Sequence, residues 1–216
     1  MDNLPFDLVG LAASEVDSLE AVYKALKDKF AVKVPDDFNI DVNQFDSIKF
    51  YENTDRQSEV TVGGVLQIDN CANNCYVVFV KIRHYYPPNS SYHTGERLDY
   101  YKYQVWALVN QKKDFGRALI RKETFTDRVL SIVHPLELDF EDDKAFSHKF
   151  YVVANDPEKA TNCINWNFRN ALMDIDLRDL VIEMVGDDLI IGNNDWLNPD
   201  TAIYSAKIAS KIAAVC

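Results

Sequence analysis

Glycine and proline are scarce in this 216-residue sequence, which contains only seven of each. Such low contents argue against linkers, low-complexity tails and disordered segments, and no internal repeat is present. Long apolar runs are lacking too. The longest, such as residues 76–80, fall far short of the roughly 20 residues that a membrane-spanning helix needs. We therefore expect a folded soluble protein without a membrane segment.

A secretory signal is also missing from the start of the sequence. Asp2 and Asp7 stand where such a signal carries Lys or Arg, and no apolar segment follows them. These features predict a cytoplasmic location.

The short motifs of common enzyme classes are absent. The sequence contains no glycine-rich phosphate loop, no dinucleotide fingerprint and no Gly-x-Ser-x-Gly nucleophile turn. Gly63 and Gly64 lie inside a segment of strand composition, where they indicate a β-bulge or a close backbone approach. Several acidic clusters are present, but none has the form of a calcium loop, and we expect them in turns and helix caps. We therefore expect no cofactor.

The four cysteines do not form a zinc motif. Cys71 and Cys75 are separated by three residues, but no second cysteine pair and no His-x₃₋₅-His pair completes a tetrahedral site. We expect no metal. Because the two cysteines flank a predicted turn, a disulfide between them is an alternative, which a reducing cytosol disfavours. Cys163 is expected in the core, and Cys216 is the terminal residue of the sequence.

Positive charge is in deficit, with a net charge of −11 and a pI of about 4.8. This balance disfavours a general nucleic-acid binder, which needs clustered Lys and Arg. Residues 61–133 nevertheless carry 10 basic against 6 acidic residues. The remaining segments, 1–60 and 134–216, are acidic. Either residues 61–133 pack beside these acidic segments and complement their charge, or they contain a contact surface. The candidate surface, for an acidic protein partner or an anionic ligand, consists of Lys112, Lys113, Arg117, Arg121, Lys122 and Arg128.

Apolar periodicity predicts the main elements. A first helix is expected over 14–29 with Ser14 as its N-cap, and Asp200 or Thr201 is expected to cap a final helix. Alternation and β-branched or aromatic composition predict the strands. They are 48–51, 60–68, 76–86, 98–109, 118–120, 136–140, 146–154, 180–185 and 189–191. A loop is expected over 87–96, a short helix over 124–132, and a helix from Asp156 to about Met173 with a break near Asn165.

Part of the C-terminal half resembles a known domain. Phe146-Ser-His-Lys-Phe150-Tyr-Val152, then Asp156-Pro157-Glu158-Lys-Ala160, and then a strand pair ending at Ile191 are similar to a pattern in uncharacterised bacterial proteins. The similarity covers about residues 118–192. In other members this soluble domain often follows a membrane anchor, and the family has no known function. The resemblance therefore implies a strand–helix–hairpin module and no catalytic residue.

Together these observations predict an α+β domain with a mainly antiparallel sheet, an N-terminal helix, a C-terminal helix and the strand–helix–hairpin module. We expect a single domain over 1–216, with lobes at 1–115 and 116–216 as the alternative. The favoured function is a non-enzymatic interaction or scaffold domain, and a homo-oligomer is a further option. The alternative is an enzyme of unrecognised type with a site of scattered Asp, Glu, His and Tyr. A pocket in which His84 or His93 meets carboxylates would favour that alternative.

Overall fold

The computed structural model describes residues 4–48, 57–69, 71–85, 99–122, 136–176, 180–195 and 197–215. Some of the sequence predictions lie outside these ranges. They are the loop over 87–96, the helix over 124–132, the strand over 48–51 beyond Ile48, and residues His93, Arg128, His134 and Cys216.

Nine strands of the described residues form one antiparallel sheet in the order β1-β2-β3-β4-β9-β8-β5-β7-β6. The strands are β1 (Val32–Lys33), β2 (Gln57–Ile68), β3 (Asn74–Tyr85), β4 (Tyr100–Asn110), β5 (Arg117–Lys122), β6 (Leu136–Glu137), β7 (Phe150–Ala154), β8 (Val181–Val185) and β9 (Asp188–Gly192). The helices are α1 (Ala13–Lys29), α2 (Lys144–Lys149), α3 (Pro157–Cys163), α4 (Trp166–Met173) and α5 (Pro199–Ala213). The expected α+β class with a mainly antiparallel sheet and terminal helices is confirmed.

Both faces of the central strands are buried. On one face, α1 and α5 pack on side chains such as Phe79 and Val105. On the other, the segment around a short 3₁₀ turn at Val42–Gln44 covers side chains such as Trp106 and Leu108. Neighbouring residues of a strand point to opposite faces. Since both faces of β4 are buried, most of its successive residues are apolar or aromatic.

The predicted β-bulge is present in β2. The register of β2 against β3 shifts between Val62 and Gly64, so Gly63 has no regular partner. A Cβ on Gly63 would collide with the ring of Tyr103. Glycine is therefore needed here because a buried aromatic ring lies against the backbone.

Several helix ends differ from their prediction. Helix α1 begins at Ala13 after Ala12, which makes no side-chain cap, so Ser14 lies inside the helix. Helix α5 begins at Pro199 and is capped by Asn198, whose Oδ1 accepts from the backbone N–H of Asp200 and Thr201. The proline at the first helical position sets this start, since its fixed φ suits the helix and its missing N–H is not needed there.

The predicted strand over 146–154 is correct only in its second half. Residues up to Lys149 form α2, capped by Asp143, and the strand β7 begins at Phe150. Phe146 and Phe150 are four residues apart, a spacing that fits one face of a helix as well as one side of a strand. The break at Asn165 is confirmed, because Asn165 caps α4 by accepting from the backbone N–H of Phe168.

Strands from the two halves of the chain lie in the same sheet. β4 pairs with β9 through five residue pairs, from Trp106↔Gly192 to Asn110↔Asp188. None of the helices in the described part of the chain combines the length and apolar character that crossing a membrane requires.

Candidate functional site

The three residues of the predicted contact surface that lie on β5 are divided between the two faces of the sheet. Arg117 and Arg121 alternate with Ala118 and Ile120, which belong to the helix-facing core. Strand alternation therefore sends the two arginines to one face of the sheet and Lys122 to the other. These three residues of β5 therefore do not form one continuous basic patch.

Arg117 belongs to a buried ionic network. Its Nη2 lies 2.7 Å from Asp46 Oδ2 and 3.2 Å from Glu183 Oε1. Glu183 is fully buried and also accepts from the backbone N–H of Asp46 at 3.0 Å and of Ser47 at 2.7 Å. A buried carboxylate needs several donors to offset its lost hydration. The network therefore holds segment 41–48 on the face of the sheet opposite α1 and α5.

The other members of the predicted surface have mixed surroundings. The guanidinium of Arg121 lies 4.7 Å from the ring centroid of Tyr151, and Lys122 Nζ lies 3.7 Å from Asp176 Oδ1. Lys112 and Lys113 are exposed in the connection between β4 and β5. Arg117 and Lys122 thus pair with carboxylates from the acidic segments 1–60 and 134–216, whereas Arg121 contacts an aromatic ring.

Acidic residues of the last third hold structural positions. Asp143 caps α2, and its Oδ2 accepts from Nε of the buried Arg169 at 3.2 Å. Asp156 caps α3. Asp188 accepts from Asn110 Nδ2 at 2.7 Å and from Gln44 Nε2 at 3.0 Å. These carboxylates therefore have structural hydrogen-bond partners, and no ligand is needed to explain their positions.

A polar cleft opens on the same face of the sheet as the segment 41–48. We call it the His84 cleft, and among the described residues it is lined by Ile82, His84, Lys102, Tyr103, Gln104, Asn194 and Asp195. β3 and β4 bring the first five together through the pairs Ile82↔Lys102 and His84↔Tyr100. Asn194 and Asp195 follow β9, which ends at Gly192 opposite Trp106. The chain therefore continues from β9 alongside the part of β4 that contains Gln104.

The side chains of the His84 cleft are held by neighbours. His84 is 2% exposed, and its ring stacks on Tyr100 with centroids 4.6 Å apart. Gln104 is 4% exposed, and its Oε1 accepts from Trp106 Nε1 at 3.0 Å. Since this bond fixes the amide, the Nε2 end of Gln104 has a defined direction. No described residue accepts a hydrogen bond from that Nε2.

Sequence reasoning considered His84 but missed its companions. Lys102 and Gln104 share the side of β4 that contains the buried Trp106. Their position on the side of the strand that also carries Trp106 was the one sequence signal that these two polar residues belong to a site. Asn194 and Asp195 had none, because their proximity to Gln104 depends on the β4–β9 pairing.

The thiols of Cys71 and Cys75 both face the end of α5. Cys71 is half-buried and Cys75 is buried, and both are reduced. Burial raises the pKa of Cys75, and the neighbouring Cys71 thiol raises it further. Cys163 is buried in the core as expected.

Across the described ranges, no three His, Cys, Asp or Glu residues lie close enough to hold a metal ion. Comparison of the chain with models of protein families, with curated proteins and with solved structures gives no match.

Proposed function

We propose that this protein acts by binding, as an interaction domain without catalytic chemistry of its own, and that the His84 cleft receives an anionic group of its ligand. The observation that carries this proposal is the buried amide of Gln104. Its Oε1 is fixed by Trp106, and its Nε2 has no acceptor among the described residues. Because the bond to Trp106 already fixes the amide, a ligand oxygen that accepts from this Nε2 would be bound at little cost in side-chain ordering.

The lining of the His84 cleft favours an anion. Lys102 contributes a positive charge, and the amides of Gln104 and Asn194 contribute donors. Carboxylate and phosphate oxygens form their strongest hydrogen bonds with such groups. Asp195 is the single carboxylate among the described lining residues, and it is exposed at the rim.

The size of the cleft limits what enters it. Its volume is about 50 Å³, and a buried water needs roughly 10–15 Å³, so the space corresponds to about four waters. A carboxylate or a phosphate fits this space, whereas a drug-sized ligand needs roughly 300–1,000 Å³. The anionic group therefore belongs either to a small free anion or to an acidic side chain of a protein partner.

Trp106 gives a direct test, because its indole N–H is bonded to Gln104. Acetate and inorganic phosphate are titrated separately into ¹⁵N-labelled protein at constant ionic strength, and the indole resonance of Trp106 is followed by NMR. We expect a saturable shift. Gln104→Glu keeps the acceptor for Trp106 but replaces the Nε2 donor with a negative charge, so this variant should lose the shift. Lys113→Gln, at an exposed residue outside the cleft lining, is the matched control and should keep it.

A shift that is linear in anion concentration, or equal in the Gln104→Glu variant, would contradict the proposal. Comparing acetate with a peptide that contains several glutamates between uncharged residues distinguishes a small free anion from an acidic protein side chain. If the peptide saturates the shift at a much lower concentration, the natural ligand is an acidic protein. If both saturate alike per carboxylate, the natural ligand is a small anion.

One observation favours the alternative of an enzyme. His84 and Asp195 line the same cleft, and a histidine with a carboxylate is a frequent acid–base pair. Chromogenic acetate and phosphate esters provide the assay. Turnover that disappears in His84→Asn but persists in Lys113→Gln would support catalysis and would overturn the proposal of pure binding.

A further inference from the structure

The turn between β2 and β3 and the start of β3 place two thiols, of Cys71 and Cys75, against the last part of α5. Cys71 Sγ lies 3.6 Å from Ser210 Oγ, and Cys75 Sγ lies 3.9 Å from the carbonyl oxygen of Ala209. Because the two sulfurs contact adjacent residues of one helix, they occupy the same small region. Asn73, which lies between them in the turn, donates to the carbonyl oxygen of Ala213 at 3.0 Å. The turn is thus attached to the helix by three side chains.

The two thiols differ in accessibility. Cys71 is half-buried, whereas Cys75 has no exposed surface. Burial, together with the neighbouring Cys71 thiol, raises the pKa of Cys75. Cys71 is therefore the thiol that an oxidant reaches first, and Cys75 is the second thiol of the same region.

We propose that Cys71 and Cys75 form a reversible redox couple, which a hydroperoxide converts from two thiols into an intrachain disulfide. In the first step the Cys71 thiolate attacks the peroxide, the O–O bond breaks, and a sulfenic acid forms. With hydrogen peroxide, the other oxygen leaves as water after taking a proton. In the second step the Cys75 sulfur displaces the sulfenic oxygen, which leaves as a second water. Two thiols and one peroxide thus give one disulfide and two waters.

The disulfide changes how α5 is attached. Both S–H donors are consumed, so Ala209 and Ser210 lose their contacts from the turn. α5 packs on β3, β4, β9 and α1, so its last turn connects the thiol pair to the helix-facing core. The bridge closes a loop of only five residues, and short loops gain little chain-entropy stabilisation. The principal effect is therefore a loosening of the end of α5.

Peroxide treatment of the folded full chain tests the proposal. Hydrogen peroxide is added, free thiols are alkylated with iodoacetamide, and the tryptic peptide 57–81, which contains both cysteines, is measured by mass spectrometry. We expect the oxidised peptide to lose two hydrogens and take up no alkyl group. After dithiothreitol it should take up two.

Variants separate the roles of the two sulfurs. Cys75→Ala should accumulate a Cys71 sulfenic acid that dimedone traps, and Cys71→Ala should leave the buried Cys75 unoxidised. Cys163→Ala, which removes a buried thiol on α3, is the matched control and should form the disulfide normally. Hydrogen exchange provides a second readout, and the backbone amides of 209–213 should exchange several-fold faster in the oxidised protein.

Oxygen addition to Cys71 without disulfide formation would overturn the proposal, as would covalent dimers linked through Cys71. Oxidation of Cys75 in Cys71→Ala at the rate of the native protein would refute the assigned order. If the disulfide forms but exchange at 209–213 is unchanged, the coupling to α5 is wrong.

Discussion

The ammonium group of Lys81 lies 2.7 Å from Oδ2 of Asp7, across 74 positions of the sequence. The Lys81 side chain is 5% exposed, whereas that of Asp7 is 49% exposed. Lys81 Nζ also donates to the carbonyl oxygen of Val9 at 2.6 Å and lies 4.7 Å from the ring centroid of Tyr101. A buried ammonium thus ties the N-terminal segment to β3 and β4.

Removing the charge of Asp7 should destabilise the protein, because Lys81 remains buried without its anionic partner. We expect Asp7→Asn to lower the free energy of unfolding by about 1–2 kcal/mol, since water reaches the half-exposed Asp7 and limits the loss. Urea denaturation monitored by circular dichroism measures the change. Asp69→Asn, which removes an exposed pair with Lys33, is the control and should cost less than about 0.5 kcal/mol. Equal effects of the two variants would show that burial of Lys81 is unimportant.

The same pair predicts a dependence of stability on pH. The hydrogen bond from Lys81, followed by that from the backbone N–H of Val9, lowers the pKa of Asp7 below its ordinary value of 3.8. A carboxyl with a lower pKa in the folded state adds stability above its unfolded pKa, and this stability is lost as the pH falls through the folded pKa. The contribution of Asp7 should therefore be complete at neutral pH and should disappear below about pH 4.

Denaturation midpoints of the native chain and Asp7→Asn, measured from neutral to acid pH, check this dependence. The two midpoints should converge as the pH falls, because protonation removes the charge that the substitution has already removed. A difference that stays constant across the range would mean that Asp7 acts through packing instead of charge.

Sequence patterns were sufficient for most elements of the sheet. Alternation and composition located β2, β3 and β4, and the Gly186 turn located the β8–β9 hairpin. These features are local, because residues within a strand determine which of its faces is apolar. The helix break at Asn165 was likewise predictable, since an N-cap acts within its own turn.

The candidate sites depend on contacts that local patterns do not encode. Arg117 lies 71 positions from Asp46 and 66 from Glu183. Its neighbours in the sequence, several of them basic, therefore gave no sign of a buried acidic partner. Gln104 meets Asn194 only because β9, the last strand along the chain, pairs with β4. Only the order of strands in the sheet brings these residues together.

Arg117 now has a different expected behaviour from that of an exposed basic residue. From the sequence alone, reversing Arg117, Arg121 and Lys122 to Glu is expected to remove a binding partner with almost no change in melting temperature. In the fold, Arg117→Glu places a third carboxylate beside Asp46 and Glu183. We expect this variant to lose about 3 kcal/mol or more of folding free energy, because breaking a buried pair leaves uncompensated charge.

Lys113→Glu is the matched control for this charge reversal, because Lys113 is exposed on the connection that leads into β5. Its thermal unfolding midpoint should lie within about 2 °C of the native value, as for most surface substitutions. Similar midpoints for Arg117→Glu and Lys113→Glu would show that the network around Glu183 does not hold the segment 41–48.

Substitution of Gly63 should be harmful, because the Tyr103 ring occupies the space that a side chain at this position would need. The Tyr103 ring is 2% exposed, and its hydroxyl donates to the carbonyl oxygen of Asp7 at 2.7 Å. The backbone N–H of Asp7 in turn donates to the carbonyl oxygen of Gly63 at 2.7 Å. A Cβ on Gly63 must displace the ring and with it the N-terminal segment, so Gly63→Ala should cost about 2–3 kcal/mol.

Gly186 provides the comparison that separates collision from backbone strain. It has a φ of +61°, but a Cβ there would meet no atom within 4 Å. Gly186→Ala should therefore cost only the left-handed penalty of about 1–2 kcal/mol. Urea denaturation should rank Gly63→Ala as the more destabilising variant, and hydrogen exchange should show faster exchange at Asp7 in that variant alone. The reverse ranking would mean that Tyr103 moves aside at little cost and that the N-terminal segment is held mainly by Lys81.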